Sequence, residues 1–365
     1  VLAVFLIAGA MMPTGASATG EPRASAEKWA LVIGVQRYSE AKGFAPLRFT
    51  ERDAQAFRDL LVDPQRGGYD ESRVKLLTTA AQDPEQLPTR GNILGALRSL
   101  VSRAQSDPKH PPDTVLVYFS GHGVHKERES YLIPVDAGRD DLAETAVSLE
   151  AVRERLNDCG AKKQIVVVDA CRSEPVGKGE GERQSVEFAQ ALERFARAEG
   201  RVVLASCGKD QLSYEDEDRK HSAVTGFLLE GLKGAADADD DGVISIREAH
   251  AYASRELGAW AEKRGTVQYP EVYGEEMLPL PLAGYPRNAE VRVDSAPEGA
   301  RIWIDEEDTG RETPSTVEVE VPGGKQRELE LRVIREGYQD GTAGVTVAPG
   351  DQRDVSLRLR ELAKL

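Results

Sequence analysis

Two residues of this 365-residue chain combine the chemistry and the setting of a nucleophile and its base. Cys171 lies in I-V-V-V-D-A-C-R-S, Ile165 to Ser173, where four apolar residues form a run too short for a helix and suited to a strand buried on both faces. His122 ends a second apolar run, T-V-L-V-Y-F-S-G-H-G from Thr114 to Gly123. Ligands of open parallel sheets gather outside the carboxyl ends of the strands, so both side chains are expected at one rim. A thiol attacks as thiolate, an imidazole serves as its base or lowers its pKa, and backbone N–H groups must face the oxyanion that forms. Gly121 and Gly123 fit the last demand, because a residue without a side chain lets a carbonyl approach the backbone. On these residues alone a core thiol and a turn histidine stand as the alternative, since free cysteine is among the most buried residue types.

A second constellation is acidic. Asp237 to Glu248 reads D-A-D-D-D-G-V-I-S-I-R-E, which is an EF-hand-type loop in spacing. It offers Ca²⁺ the carboxylates of Asp237, Asp239 and Asp241, the Val243 carbonyl, Ser245 directly or through water, and a bidentate Glu248, with Gly242 at the sharp turn. The plain alternative is a solvated acidic turn. The three cysteines, Cys159, Cys171 and Cys207, are too few and too scattered for a disulfide scaffold or a zinc site.

The elements that position these residues alternate in type. Strands are expected at Trp29–Val35, Val74–Thr78, Thr114–Gly123, Tyr131–Val135, from Ile165 toward Cys171, and at Arg201–Ser206. Helices are expected at Leu47–Leu61, Thr89–Arg103, Leu149–Leu156, Phe188–Arg197, Ala223–Gly234 and Ile246–Glu262. This alternation predicts an α/β domain with a largely parallel sheet flanked by helices. Asp53 falls in the first turn of its helix, where a carboxylate already suits the helix dipole. Glu174 to Glu187, rich in glycine and charge, reads as an exposed loop. Beyond Pro281 the pattern turns to short alternating strands between Pro- and Gly-containing turns, predicting a small all-β sandwich as a C-terminal domain.

Y-F-S-G-H-G at Tyr118 to Gly123 and D-A-C-R-S at Asp169 to Ser173 resemble the caspase-like cysteine peptidases, the bacterial metacaspase-like branch most of all. The resemblance runs from about Trp29 to Ala261 and includes L-I-P-V-D at Leu132 to Asp136 and A-S-C-G-K-D-Q-L-S-Y-E at Ala205 to Glu215. It implies that Cys171 is the nucleophile and His122 its partner, with the Gly123 and Cys171 amides as oxyanion hole. It also implies peptide or protein substrates with Arg or Lys before the scissile bond, read by Asp53 and Asp169, with Asp210 as a weaker third position. Arg172 departs from the pattern, because eukaryotic metacaspases usually carry His there, so their substrate rules need not carry over. A basic preference would make Lys178 and Arg183, in the 174–187 loop, sites of self-cleavage. The tail, V-R-V-D-S-A-P-E-G-A-R-I-W-I-D at Val291 to Asp305 with T-P-S and E-G-Y further on, resembles the PEGA family of bacterial β-domains, which implies binding or spacing rather than chemistry.

The remaining expectations concern organisation and partners. Residues 1–18, with Phe5, Leu6 and Ile7 in an apolar run and the small triplet Ala16-Ser17-Ala18, read as a signal peptide, although a basic n-region is missing. A linker over 19–26, a peptidase domain over 27–283 and a β-domain over 287–361 complete the division. Export to the periplasm or beyond follows, with no membrane span in the mature chain and a cell-envelope ligand for the tail. A formal charge of −15 argues against nucleic acid as a partner. The competing function is a catalytically silent, calcium-stabilised envelope scaffold.

Overall fold

The computed structural model describes residues 27–39, 42–106, 113–171, 180–197, 200–208, 211–274, 281–284, 288–321 and 326–362. The expected signal peptide, the linker, Asp210, Arg172 and Lys178 lie outside them. Among the described residues no helix is long and apolar enough to cross a membrane.

The N-terminal unit runs β1 (Lys28–Gly34), α1 (Thr50–Val62), β2 (Val74–Thr78), α2 (Arg90–Ser106), β3 (Thr114–Lys126), β4 (Glu129–Leu132), α3 (Leu142–Thr145), β5 (Val147–Ser148), α4 (Leu149–Asp158), β6 (Lys163–Cys171), α5 (Glu180–Phe195) and β7 (Arg201–Ala205). A hairpin of two short strands follows, β8 (Glu215–Asp216) and β9 (His221–Ser222), then α6 (Ala223–Glu230), β10 (Val243–Ser245), α7 (Ile246–Glu262), β11 (Glu271–Gly274) and β12 (Pro281–Gly284). The main sheet has the order β11-β7-β6-β3-β1-β2, all parallel except β11, which runs antiparallel to β7.

Both faces of this sheet are covered, which is why its strands read as unbroken apolar runs. Leu31, Ile33, Val117, Val166 and Val203 pack on one side with Ile93 and Leu97 of α2, Val152 and Leu156 of α4, and Leu192 and Phe195 of α5. Ala30, Val32, Tyr118, Ile165, Val167 and Leu204 face the other, with Phe57 of α1, Phe227 of α6 and Leu257 of α7. Alternation places Asp169, two residues after Val167, on the α1 and α6 side.

Several elements differ from expectation. The helix expected from Leu47 begins at Thr50, since Phe49, at φ −127°, is not helical; ahead of it the Glu215 carboxylate accepts the Arg48 and Phe49 N–H groups at 2.7 and 3.2 Å. The strand expected to end at Gly123 continues to Lys126, because the segment folds back through β4 as a hairpin. The loop expected over Glu174 to Glu187 is cut short, since α5 starts at Glu180 and carries Arg183 in helical backbone; Glu187 on it approaches His125 at 3.5 Å. The helix expected from Ala223 to Gly234 keeps α geometry only to Glu230 and widens into a π-turn over Gly231–Ala235.

The C-terminal unit is all β. β13 (Asn288–Ala296), β14 (Arg301–Ile304), β15 (Glu307–Glu312), β16 (Ser315–Glu320), β17 (Arg327–Ile334), β18 (Tyr338–Gln339), β19 (Gly341–Val347), β20 (Gln352–Arg358) and β21 (Arg360–Glu361) follow in order. β16-β13-β20 make one sheet, with β13 and β20 parallel, and β15-β14-β17-β19 make an antiparallel second one. Val291, Val293, Ile302, Leu329, Leu331 and Val333 alternate inward to form a core of their own, so this is a two-sheet sandwich.

Candidate active site

β3 and β6 are neighbours, and their parallel register sets His122 directly across from Cys171. Strand ends far apart in sequence thus bring the two candidate reacting residues to one rim. His122 is buried, its Nε2 2.7 Å from the carbonyl oxygen of Ala45. A carbonyl only accepts, so Nε2 carries the hydrogen and Nδ1 is the basic nitrogen of the neutral ring. Tyr38 fixes the rest: its hydroxyl accepts the His122 N–H at 2.9 Å, donates to the Ile133 carbonyl at 2.9 Å, and its ring lies 4.4 Å from the imidazole.

The flanking glycines also have a packing reason. A Cβ on Gly121 would stand 2.6 Å from the Tyr38 hydroxyl, and one on Gly123 would stand 2.7 Å from the Phe188 ring and 3.0 Å from Ala170. Glycine is required there because Tyr38 and Phe188 pack against the strand.

Asp53 and Asp169 converge from α1 and β6, both fully buried. Ser222 joins them: its N–H donates to Asp53 Oδ2 at 3.0 Å and its hydroxyl donates to Asp169 Oδ2. Thr225 Oγ1 adds a bond to Asp169 Oδ2 at 2.6 Å and in turn meets the Tyr118 hydroxyl at 2.8 Å; Ser213 Oγ reaches Oδ1 at 3.4 Å. On the other carboxylate, His221 Nδ1 lies 2.5 Å from Asp53 Oδ1. Burial pushes Asp53 up to about 7, with the Asp169 charge adding to it and the His221 and Ser222 hydrogen bonds opposing it. Burial also raises Asp169, against the hydroxyls of Ser222, Thr225 and Ser213. A buried carboxylate pair of this kind is costly to keep charged when empty and is well compensated by an incoming cation.

Of the acidic loop, the structure gathers Asp237, Asp239 and Glu248, with one carboxylate oxygen from each within 4.8 Å of the others. Asp241 turns instead to the Val243 N–H at 2.7 Å, while Ser245 donates to Glu248 and caps α7. Gly242, at φ 81°, makes the turn. Val243 and Ser245 lie in β10, which pairs with β12. Oxygen donors alone suit a hard cation such as Ca²⁺.

Ser222, Thr225, Ser213, His221 and Tyr38 were not singled out from the sequence. Ser222 carries the one local signal, as N-cap of α6.

A three-layer α/β sheet with Cys and His at neighbouring strand ends and two carboxylates beside them is the arrangement of a caspase-type fold. A search of protein families matches residues 27–279 to the family described as Caspase domain and residues 288–363 to the PEGA domain. The first match covers most of the chain, and the chain belongs to the caspase-domain family, a family of cysteine-type endopeptidases. Among curated proteins it is 29% identical over 227 residues to a "probable protease" of a Desulfuromonadales bacterium, covering 58% of this chain and 26% of that protein. To Metacaspase-1 of Eremothecium gossypii it is 34% identical over 116 residues, 29% of this chain and 24% of that protein. To Metacaspase-1 of Schizosaccharomyces pombe it is 34% identical over 94 residues, 26% of this chain and 20% of that protein. The chain spans about a quarter or less of the length of these relatives.

Proposed function

We propose that this chain is an exported cysteine endopeptidase that cleaves after Arg or Lys. The observation that carries the reading is the pair of buried carboxylates, Asp53 and Asp169, bridged by Ser222 beside the strand ends that bear His122 and Cys171. In the proposed reaction His122 Nδ1 accepts the thiol proton, Cys171 Sγ bonds to the scissile carbonyl carbon, and the Gly123 and Cys171 N–H groups receive the oxyanion. The C–N bond breaks as the imidazolium returns the proton to the leaving amine. Water, deprotonated by the same imidazole, then hydrolyses the thioester and frees Cys171. A guanidinium bridges both carboxylates through its fork of donors, whereas an ammonium meets them as a point charge.

The loop from Asp237 to Glu248 is proposed to hold Ca²⁺ in a structural role, through Asp237, Asp239, Asp241, the Val243 carbonyl, Ser245 and Glu248. The gathering of Asp237, Asp239 and Glu248 supports this reading. Cleavage of the enzyme's own chain is proposed at Lys178, in the segment before α5; Arg183, inside that helix, is the poorer candidate. The A-S-A triplet and the PEGA-type tail support export and an envelope ligand for the tail.

The test is covalent. A peptide with a chloromethyl ketone after Arg should alkylate Cys171, identified by mass spectrometry of the digested protein. His122→Ala should slow labelling by about a hundredfold or more. Equal labelling by a peptide ending in Asp would refute the specificity, and modification at Cys207 alone would refute the nucleophile.

A further inference from the structure

The acidic pocket contains a titratable side chain that the proposed reaction does not use. His221 stands in β9, its side chain 16% exposed, with Nδ1 2.5 Å from Asp53 Oδ1. That distance is a charge-assisted hydrogen bond, and because a carboxylate only accepts, Nδ1 carries the hydrogen. The next residue, Ser222, supplies the second donor to Asp53 and a donor to Asp169. One two-residue strand therefore holds both carboxylates. The hairpin is itself anchored to the helix that bears Asp53, since Glu215 of β8 accepts the Arg48 and Phe49 N–H groups just before α1.

Without these donors, a carboxyl group as buried as Asp53 would take up a proton and present no charge. Among the described residues, Asp53 of α1 meets His221 directly, Asp216 of β8 lies across from it in the hairpin beside Glu215, and Asp169 of β6 is bonded to the neighbouring Ser222; the intervening turn carries Glu217, Asp218, Arg219 and Lys220, of which Glu217 is paired with Arg48 and Asp218 with Arg264. Arg219 is engaged by Asp216 at 2.9 Å and by Glu230 of α6 at 3.7 Å, so its charge is partly spent locally. Asp53 is thus the acid whose state His221 governs.

We propose that His221 is a positioning residue of the basic pocket: its Nδ1–H orients Asp53 and favours its ionised form, and arrival of a cationic substrate side chain drives the carboxyl proton off Asp53. This rests on reading Asp53 and Asp169 as the pocket for Arg or Lys. At net charge −1 the pair attracts a guanidinium. With Asp53 protonated it is neutral and does not. Burial sets Asp53 near neutrality, at about 7, so the change falls within the working range of an ordinary assay.

The test compares two peptides that differ only in carrying Arg or its neutral isostere citrulline before the scissile bond, using the full chain across pH. The wild-type Arg-to-citrulline ratio of kcat/KM should rise through about pH 7. His221→Ala should lower that ratio about tenfold near neutrality through KM, leave kcat within about twofold, and move the midpoint to higher pH. His221→Asn, whose amide nitrogen stands near the place of Nδ1 and can still donate, should restore most of the ratio. An unchanged ratio and midpoint in His221→Ala, or an equal loss on both peptides, would overturn the proposal. A wild type with no preference for Arg overturns the pocket itself, and this inference with it. Should His221→Ala fail to fold, calorimetry on Cys171→Ala protein decides: benzamidine binding near pH 6.5, measured in buffers of different ionisation enthalpy, should release protons, and binding without release would contradict the proposal.

Discussion

His122 stands directly opposite Cys171 in the register of two parallel strands, with its Nε2 bonded to the Ala45 carbonyl. The register supplies proximity and the carbonyl selects the tautomer, so the base nitrogen is decided by a backbone group that substitution of a side chain cannot remove. What substitution can reach is Tyr38, which holds the His122 N–H and the Ile133 carbonyl with one hydroxyl. Tyr38→Phe leaves both groups buried without that partner. The expected cost is about 1–3 kcal/mol of stability, with a kcat reduced about tenfold and KM little changed. Thermal unfolding and steady-state kinetics check both.

The buried acid gives a pH signature of its own. Asp53 keeps its proton up to about 7 in the folded chain, against 3.8 in the unfolded one, so the folded state binds the extra proton between those values. Stability from this group is complete below about pH 4 and is lost as pH rises through 7. Asp53→Asn cannot ionise, and without substrate it should gain about 2–4 kcal/mol on wild type at about pH 8 while matching it near pH 4. Chemical denaturation at the two pH values measures the difference.

In the acidic loop, Asp239 is raised, by desolvation first and then by Asp241, Glu248 and Asp237, so it too favours the folded state at low pH and opposes it at high pH. Asp239→Asn should therefore raise the Tm of chelator-treated protein near neutrality and abolish any further rise on adding Ca²⁺. Wild type should gain several degrees from millimolar Ca²⁺. A wild-type Tm indifferent to Ca²⁺ would show that the loop binds none.

Self-cleavage is expected to separate β6 from α5. Wild-type protein should yield two fragments joined at Lys178 in the uncut chain; Cys171→Ala and Lys178→Ala should stay whole, and Arg183→Ala should still be cut. N-terminal sequencing of the fragments identifies the bond.

The sheet was legible because burial on both faces writes continuous apolar runs: Val74–Thr78 and Arg201–Ala205 are read from valines and leucines alone. The 3.6-residue period made α7 legible from Ile246 to Glu262. The start of α5 was not, since G-E-R-Q-S-V presents glycine and charge before the apolar stripe begins at Phe188. β15, E-D-T-G-R-E, is an edge strand with almost every residue exposed and has no alternation to read. For the site, the Cys and His followed from strand ends, and Asp53 and Asp169 from family resemblance. The imidazole of His221 was invisible, because a hairpin of two-residue strands has no periodicity, and Ser213, before the hairpin, and Thr225, in α6, acquire their role only by meeting Asp169 in the folded chain; Ser222 offered no more than its N-cap position.

The most direct test of the account is hydrolysis of a fluorogenic peptide series with Arg, Lys, citrulline or Asp before the scissile bond, by wild-type protein and by Cys171→Ala, with Ca²⁺ present. Turnover of the Arg and Lys peptides, at least about a hundredfold faster than the others and absent in Cys171→Ala, is the expected result. No turnover of any peptide, or turnover that survives Cys171→Ala, would contradict it and leave a caspase-type fold that serves as a scaffold.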